Sequence, residues 1–293
     1  GVGAVSDIAW IVLGILFVII GPAIGCVLAG IDRKISARMR KRVGPPILQP
    51  LYDVKKFLAK EQVTPNKVQD FYVMVFLLFT IITGTMFFTG QDLLLIIFTL
   101  TLSETFLVLA AYSSGSVYSQ IGAQRELYVA MAYEPIILLM AICYYLHTGS
   151  FSVADIAENG SMALVPLFGV FLAFLFGLTM KLRKSPFDLS LSHHAHQDIV
   201  RGMSTEFSGR TYASLEVAHW YESVMLLGMM ALFFADGTWI GMVVGVVIAL
   251  LAWFLEIWID NGFARMKWQT ALKSGWIVGL ILGVGNVAVL LLI

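Results

Sequence analysis

The chain has 293 residues, 59% of them hydrophobic and only 13% charged, with a mean hydropathy of +0.85; soluble domains run at roughly 45–50% apolar and about 25% charged, which excludes an ordinary soluble core and makes a bilayer the expected solvent. The 19 basic and 19 acidic residues cancel, so net charge gives no reason to expect a nucleic-acid partner. Two cysteines, Cys26 and Cys143, supply neither a disulfide framework nor a CxxC pair, and any thiolate-held iron–sulfur cluster or metal is expected in another subunit.

Eight stretches reach the length of about 20 mostly apolar residues that a crossing helix needs: 8–30, 71–89, 93–113, 127–147, 164–182, 214–235, 239–259 and 274–293. The first lacks a basic leader and a small-residue cleavage site, and it reads as a retained helix. The expected fold is an all-α integral membrane protein, one bundle domain over 1–293 without internal repeats.

Positive charge tests that count, because cytoplasmic loops hold an excess of Lys and Arg. Between the first two stretches lie Arg33, Lys34, Arg38, Arg40, Lys41, Arg42, Lys55, Lys56, Lys60 and Lys67, and Arg125 precedes the fourth. Lys181, Arg183, Lys184, Arg201 and Arg210 join the fifth to the sixth, and Arg265, Lys267 and Lys273 the seventh to the eighth. Those are all 19. The remaining connections carry only acids: Asp7, Asp92, Asp155, Glu158 and Asp236. The alternation predicts cytoplasmic loops near 31–70, 114–126, 183–213 and 260–273, with both termini on the outer side of the cell membrane. Glycines at helical spacing, Gly21 and Gly25, Gly241 and Gly245, and Gly275, Gly279 and Gly283, predict close helix packing. Pro22 and Pro135 are expected to kink their helices.

Carboxylates within apolar stretches are the first functional candidates, since a charged one near the bilayer centre costs at least about 2.5 kcal/mol and faces a partner or water. Glu104 is the deepest, Glu134 lies beside Pro135, and Glu216, His219 and Glu222 share one broad helix face. Together they read as a hydrated proton or ion path, which Tyr133 and Tyr221 could extend. Glu126 and Glu256 sit nearer helix ends, where pairing with an arginine or tyrosine would explain them. His193, His194 and His196 fall within four residues; they could ligate a metal, but no fixed spacing or further ligand accompanies them, and proton exchange suits them better. The basic segment from Asp32 to Glu61 could touch anionic lipid, yet its punctuated pattern and the amphipathic run 51–59 favour docking of a soluble partner, with Arg33, Lys34, Arg38, Lys55, Lys56, Arg125 and Arg201 as its contacts.

Four groups of residues resemble a known family. Asp32-Arg33-Lys34-Ile35, Ala37-Arg38-Met39, Gly44-Pro45, Leu48-Gln49-Pro50, Asp53, Lys55-Lys56 and Lys60-Glu61 form the first; Gly122, Arg125 and Ala132-Tyr133-Glu134 the second. Ser185-Pro186-Phe187-Asp188-Leu189 is the third, and Val200-Arg201-Gly202 with Thr205-Glu206-Phe207-Ser208-Gly209 the fourth. They resemble the membrane heel subunit of respiratory complex I and its relatives in energy-converting nickel–iron hydrogenases. Asp32 replaces a glutamate of the complex I pattern, the first loop is shortened at Pro45-Pro46-Ile47-Leu48, and Ser192-His193-His194-Ala195-His196-Gln197 stands where complex I is rich in glutamates. These departures fall on segments that line the family's quinone chamber and, with Ala218-His219-Trp220-Tyr221-Glu222, point to the compact hydrogenase branch.

The resemblance implies a membrane subunit, itself without cofactor or catalytic residue, that anchors a ferredoxin-linked arm. Hydrogenase large and small subunits and a ferredoxin-like subunit would carry the nickel–iron centre and iron–sulfur clusters, and an antiporter-like membrane subunit would receive the redox energy. Motif matches assign Glu134, Glu206 and Asp188 to the ion path; burial alone nominates Glu104, Glu216 and Glu222, with His219 behind them. Three other expectations stand beside it: a quinone-binding subunit of a complex I-type NADH dehydrogenase, a subunit of a formate hydrogenlyase or ferredoxin-linked sulfur-reducing relative, and a stand-alone secondary transporter, which could also use midplane acids.

Overall fold

The computed structural model describes residues 2–63, 66–190 and 201–292, with residues 2–7 by backbone alone. Among them the chain is helical: α1 (Val2–Met39), α2 (Gln49–Ala59), α3 (Lys67–Phe88), α4 (Leu93–Ser113), α5 (Val117–Thr148), α6 (Val153–Glu158), α7 (Phe168–Lys181), a 3-10 turn (Gly202–Ser204), α8 (Gly209–Leu232), α9 (Trp239–Gly262), α10 (Trp268–Val278), a π turn (Gly279–Val284) and α11 (Gly285–Leu292). An isolated bridge between Asp92 and Ser152 is the one β feature of the described residues.

Every expected stretch falls on a helix, but the helices differ in kind. Six are long and apolar enough to cross a membrane: Ile8–Met39, α3, α4, α5, α9 and Trp268–Leu292. Helix α7 has 14 residues, about 21 Å at 1.5 Å per residue, against roughly 30 Å of hydrocarbon. Helix α8 has 24 residues but carries Arg210, Glu216, His219 and Glu222. Helices α1 and α5 run on through Pro22 and Pro135.

Caps fix where several helices begin. The Asp92 carboxylate accepts from the Leu94 and Leu95 amides at 2.9 and 3.3 Å, and the Thr238 hydroxyl accepts from Gly241 at 3.1 Å, each occupying donors a helix start leaves unpaired. Helix α7 has no such cap of its own. Asn286 of α11 supplies one from outside: its Oδ1 accepts from the Gly169 and Val170 amides at 2.8 and 3.4 Å, and its Nδ2 donates to the Pro166 carbonyl at 3.0 Å.

The loops sort by charge. At one end, Lys184 after α7 pairs with Asp32 of α1 and lies 3.8 Å from Asp260 of α9. Arg33 pairs with Asp53 of α2 at 2.6 Å, and Arg40 donates to Asn261 at 3.1 Å. At the other end Trp10 donates to Glu158 at 3.0 Å, Gly237 to the Ala157 carbonyl at 3.0 Å and Ala154 to the Gly90 carbonyl at 3.3 Å. The lysine- and arginine-bearing loops thus meet around the first end, and the connections without them around the second.

Small residues set the approach of the helices, as their spacing predicts. A Cβ on Gly25 would stand 2.4 Å from the Trp220 carbonyl oxygen, and one on Gly275 would stand 2.7 Å from Ala132 Cβ. Gly25→Val is therefore expected to push α1 off α8, an overpacking cost of about 1–3 kcal/mol. It should lower both the recovery and the unfolding temperature of the protein in detergent, while Gly262→Ala, which meets no atom within 4 Å, should change neither.

Candidate functional site

The site begins at the C-terminus of α7. Two bonds close the helix there: Lys184 N–H to the Thr179 carbonyl and Arg183 N–H to the Met180 carbonyl, both 3.1 Å. This is a Schellman ending, and its left-handed position is usually glycine. Here it is Arg183, at φ 52, a conformation costing a side-chain-bearing residue roughly 1–2 kcal/mol. The strain is retained where it turns the Arg183 guanidinium back into the bundle beside Lys181, as at many functional sites.

Around these two cations the structure gathers three carboxylates from three helices. Lys181 Nζ contacts Glu104 of α4, lies 2.8 Å from Glu222 of α8 and donates to Tyr133 Oη of α5 at 3.2 Å. Tyr133 in turn donates to Glu104. Arg183 binds Glu126 of α5 at 2.7 and 3.1 Å through two nitrogens, lies 3.6 Å from Glu222 and 3.2 Å from His219 Nε2. The Lys181 side chain is 2% exposed and those of Glu104 and Glu222 no more than 5%.

Charge counting states what this arrangement can do. Three carboxylates against two cations leave one negative charge among buried side chains, where an uncompensated ion costs several kcal/mol. One proton on an acid or on His219 cancels it, so the cluster is built to hold a proton that can change owner.

A path leads to it from the basic end. A cavity of about 250 Å³ is walled by Lys181, Arg183, His219 and Glu222, and an adjoining one of about 750 Å³ by Arg40, Asp53, Asp188, Asp260 and Arg265. Asp32, Arg33, Lys184, Arg201, Tyr212 and Glu216 line both. Glu104 and Tyr133 lie behind this space and line neither cavity.

The structure therefore joins most of the residues singled out in the sequence and separates others. Glu104, Tyr133, Glu222 and His219 form one cluster. Glu216 turns to the cavity and bonds Tyr212, with Arg33 and Arg201 nearby. Glu134 stands half-buried, its partner the Thr101 hydroxyl, one turn of α4 before Glu104. Asp188 is buried at the cavity wall, and Glu206 half-buried in the turn before α8. Tyr221 does not extend the chain: its hydroxyl donates to the Val18 carbonyl at 2.7 Å and ties α8 to α1. Glu126 has the arginine partner expected of it. Glu256 does not; it is fully buried beside Thr179. His193, His194 and His196 lie outside the described residues, and among the described residues no group of three His, Cys, Asp or Glu side chains is placed to hold a metal ion.

Of the expected docking residues, Arg33, Arg38, Lys55, Lys56 and Arg201 are exposed, and Lys34 and Arg125 are half-buried. Arg33 is turned toward Asp53 in the cavity wall. Lys181 and Arg183 are the residues sequence reasoning missed, having been read as loop charges. Nothing in the sequence sets them apart from the neighbouring Lys184; only the fold turns them inward.

Residues 11–291 match the NADH dehydrogenase family. The chain belongs to that family. Among its relatives, the NADH-ubiquinone oxidoreductase chain 1 of Mycosarcoma maydis is 27% identical, the alignment covering 84% of each chain. Hydrogenase-4 component C of Escherichia coli K12 is 30% identical over 70% of this chain and 68% of its own. Formate hydrogenlyase subunit 4 of the same organism is 25% identical over 87% and 90%. A chain of the membrane-bound sulfane sulfur reductase, an archaeal respiratory membrane complex, superposes with a TM-score of 0.84 at 26% identity, over 94% of this chain and 99% of that one. This NADH dehydrogenase family member is thus a multi-pass membrane subunit of the complex I-like and hydrogenase-like respiratory class.

Asp188 gives the cavity wall a pH signature. Burial pushes its carboxyl from the ordinary 3.8 up to about 7, with Arg265 opposing and Asp260 assisting. A raised folded value means that its contribution to stability is complete below about pH 4 and is lost as pH rises through 7, on the order of 4 kcal/mol in all. Asp188→Asn removes that loss. Its unfolding temperature should match the parent near pH 4 and exceed it near pH 8; identical curves at both would show a carboxylate ionised throughout.

Proposed function

We propose that this chain is the membrane anchor and coupling subunit of an energy-converting, ferredoxin-linked nickel–iron hydrogenase complex, one membrane domain whose eight expected helices all cross the bilayer with both termini outside. The observation that carries the reading is the line of acids from the cavity mouth inward: Glu216 in the wet space, Glu222 at its inner end, Glu104 behind it and Glu134 at the edge of the bundle. Buried acids on separate helices are retained in membranes where protons or ions travel.

In this reading the redox centres stay outside the chain, which holds no cofactor and no catalytic residue. Hydrogenase large and small subunits and a ferredoxin-like iron–sulfur subunit dock at the basic end, where Lys34, Arg38, Lys55, Lys56, Arg125 and Arg201 meet them; Arg33, held by Asp53, shapes the floor of the vestibule. Proton reduction at the nickel–iron centre perturbs that floor. The change passes through Asp188, Glu206, Glu216 and His219 to Glu222 and Glu104, and Glu134 delivers it to an antiporter-like subunit in the membrane. Hydrogenase-4 and formate hydrogenlyase relatives support this branch.

A second reading keeps one specific support. The larger cavity has Phe57, Tyr212 and Phe263 in its walls, apolar surface that a quinone ring could lie against, as in a complex I-type enzyme. A photoreactive quinone analogue labelling Tyr212 or Phe57, with quinol protecting, would favour it.

Two measurements test the hydrogenase reading. Mass spectrometry of the intact complex in mild detergent should find a nickel–iron subunit with this chain; the chain recovered alone and transporting by itself would favour a secondary transporter. Glu134→Gln should lower ion uptake into vesicles at least about tenfold relative to hydrogen formed from an artificial donor. Equal loss of both activities would count against a coupling role.

A further inference from the structure

The cavity stops short of the deepest acid. Lys181, Arg183, His219 and Glu222 line it, whereas Glu104 and Tyr133 do not. Between Glu222 and Glu104 stands the Lys181 ammonium, at the inner wall of the cavity, in contact with Glu104, 2.8 Å from Glu222 and 3.2 Å from Tyr133 Oη. The facing charged and titratable groups are Glu104 on α4, Tyr133 and Glu126 on α5, Arg183 after α7, and His219 and Glu222 on α8. Arg183 already serves Glu126, so Lys181 is the cation shared between Glu222 and Glu104.

We propose that Lys181 is a proton relay, and not a fixed counter-ion, between Glu222 and Glu104, and that the ion passing this point is therefore a proton and not sodium. The inference rests on the acid path described above. In the relay an N–H bond of the ammonium breaks and the proton forms an O–H bond with the Glu104 carboxylate, leaving a neutral amine. The amine then takes the proton of the neutral Glu222 carboxyl, restoring the ammonium and leaving Glu222 ionised. One proton has moved from Glu222 to Glu104, with no net change on the lysine. A buried lysine can do this because its pKa moves readily, whereas a guanidinium stays protonated throughout. Tyr133, which accepts from Lys181 and donates to Glu104, holds both ends of the transfer in line.

The decisive variant in the whole complex, reconstituted in liposomes, is Lys181→Arg, which keeps the charge on a group that does not give up its proton. Protons taken up per hydrogen formed should fall at least about tenfold, and added sodium should not restore them. Pumping within twofold of the parent would overturn the relay. Should the arginine not fit, Lys181→Cys treated with aminoethyl methanethiosulfonate or its trimethylammonium analogue makes the same comparison, since both restore the charge but only the first restores N–H bonds. Recovery with the amine alone is expected; recovery with both reagents, or with neither, overturns the relay. Glu104→Gln and Glu222→Gln distinguish the two levels. If both still pump fully, the acid path itself is wrong; if both fail while Lys181→Arg pumps, only the relay is wrong.

Discussion

A carboxylate inside a membrane protein needs a cation or a proton, and the geometry of this chain follows from how few cations are available to its acids. Lys181 and Arg183 stand two residues apart, one on the last turn of α7 and the other just beyond it, and between them they meet acids from α4, α5 and α8. Arg183 could not do so if α7 continued. The helix ends just after Lys181, and the left-handed backbone at Arg183 turns the second cation inward beside the first. Ion pairs of this kind add little to stability after desolvation. Their value lies in fixing which helices face one another and in leaving one proton unassigned.

The bundle supports that arrangement from both ends. At the basic end Lys184 bridges Asp32 of α1 and Asp260 of α9, and the Ser185 amide donates to Asp260 at 2.7 Å, so the chain leaving α7 is pinned on two sides. At the far end Asn286 closes the start of the same helix. Between them Gly25 lets α1 lie against the backbone of α8 at Trp220, one residue after His219.

Much of this was legible in the sequence. Hydropathy located every long helix, because continuous apolar runs admit few other readings, and glycine spacing anticipated the close approaches of α1 and α10. The depth of Glu104 and Glu222 in apolar stretches anticipated their burial, and motifs that resemble those of complex I and the hydrogenases led to the family. Three things were not legible. Lys181 and Arg183 carry the same charge as the loop residues that mark topology, and only the fold shows them pointing the other way. Tyr221 sits beside Glu222 in sequence, yet helical geometry turns its hydroxyl to α1. Helix α7 lost its first turn relative to the apolar run because 163–167 form turns that end on a cap supplied from more than a hundred residues downstream, a long-range term that local pattern cannot contain.

That distant cap makes α7 a strut held by the last helix. The amide of Asn286 and the ammonium of Lys181 grip opposite ends of the same fourteen residues, and the π turn of α10–α11 lies against its flank. Whatever shifts the terminal helix, whether a neighbouring subunit or the thickness of the surrounding bilayer, therefore bears on the same short helix that presents Lys181 to Glu104 and Glu222. The rim of the protein that faces lipid is mechanically continuous with its most sheltered charge.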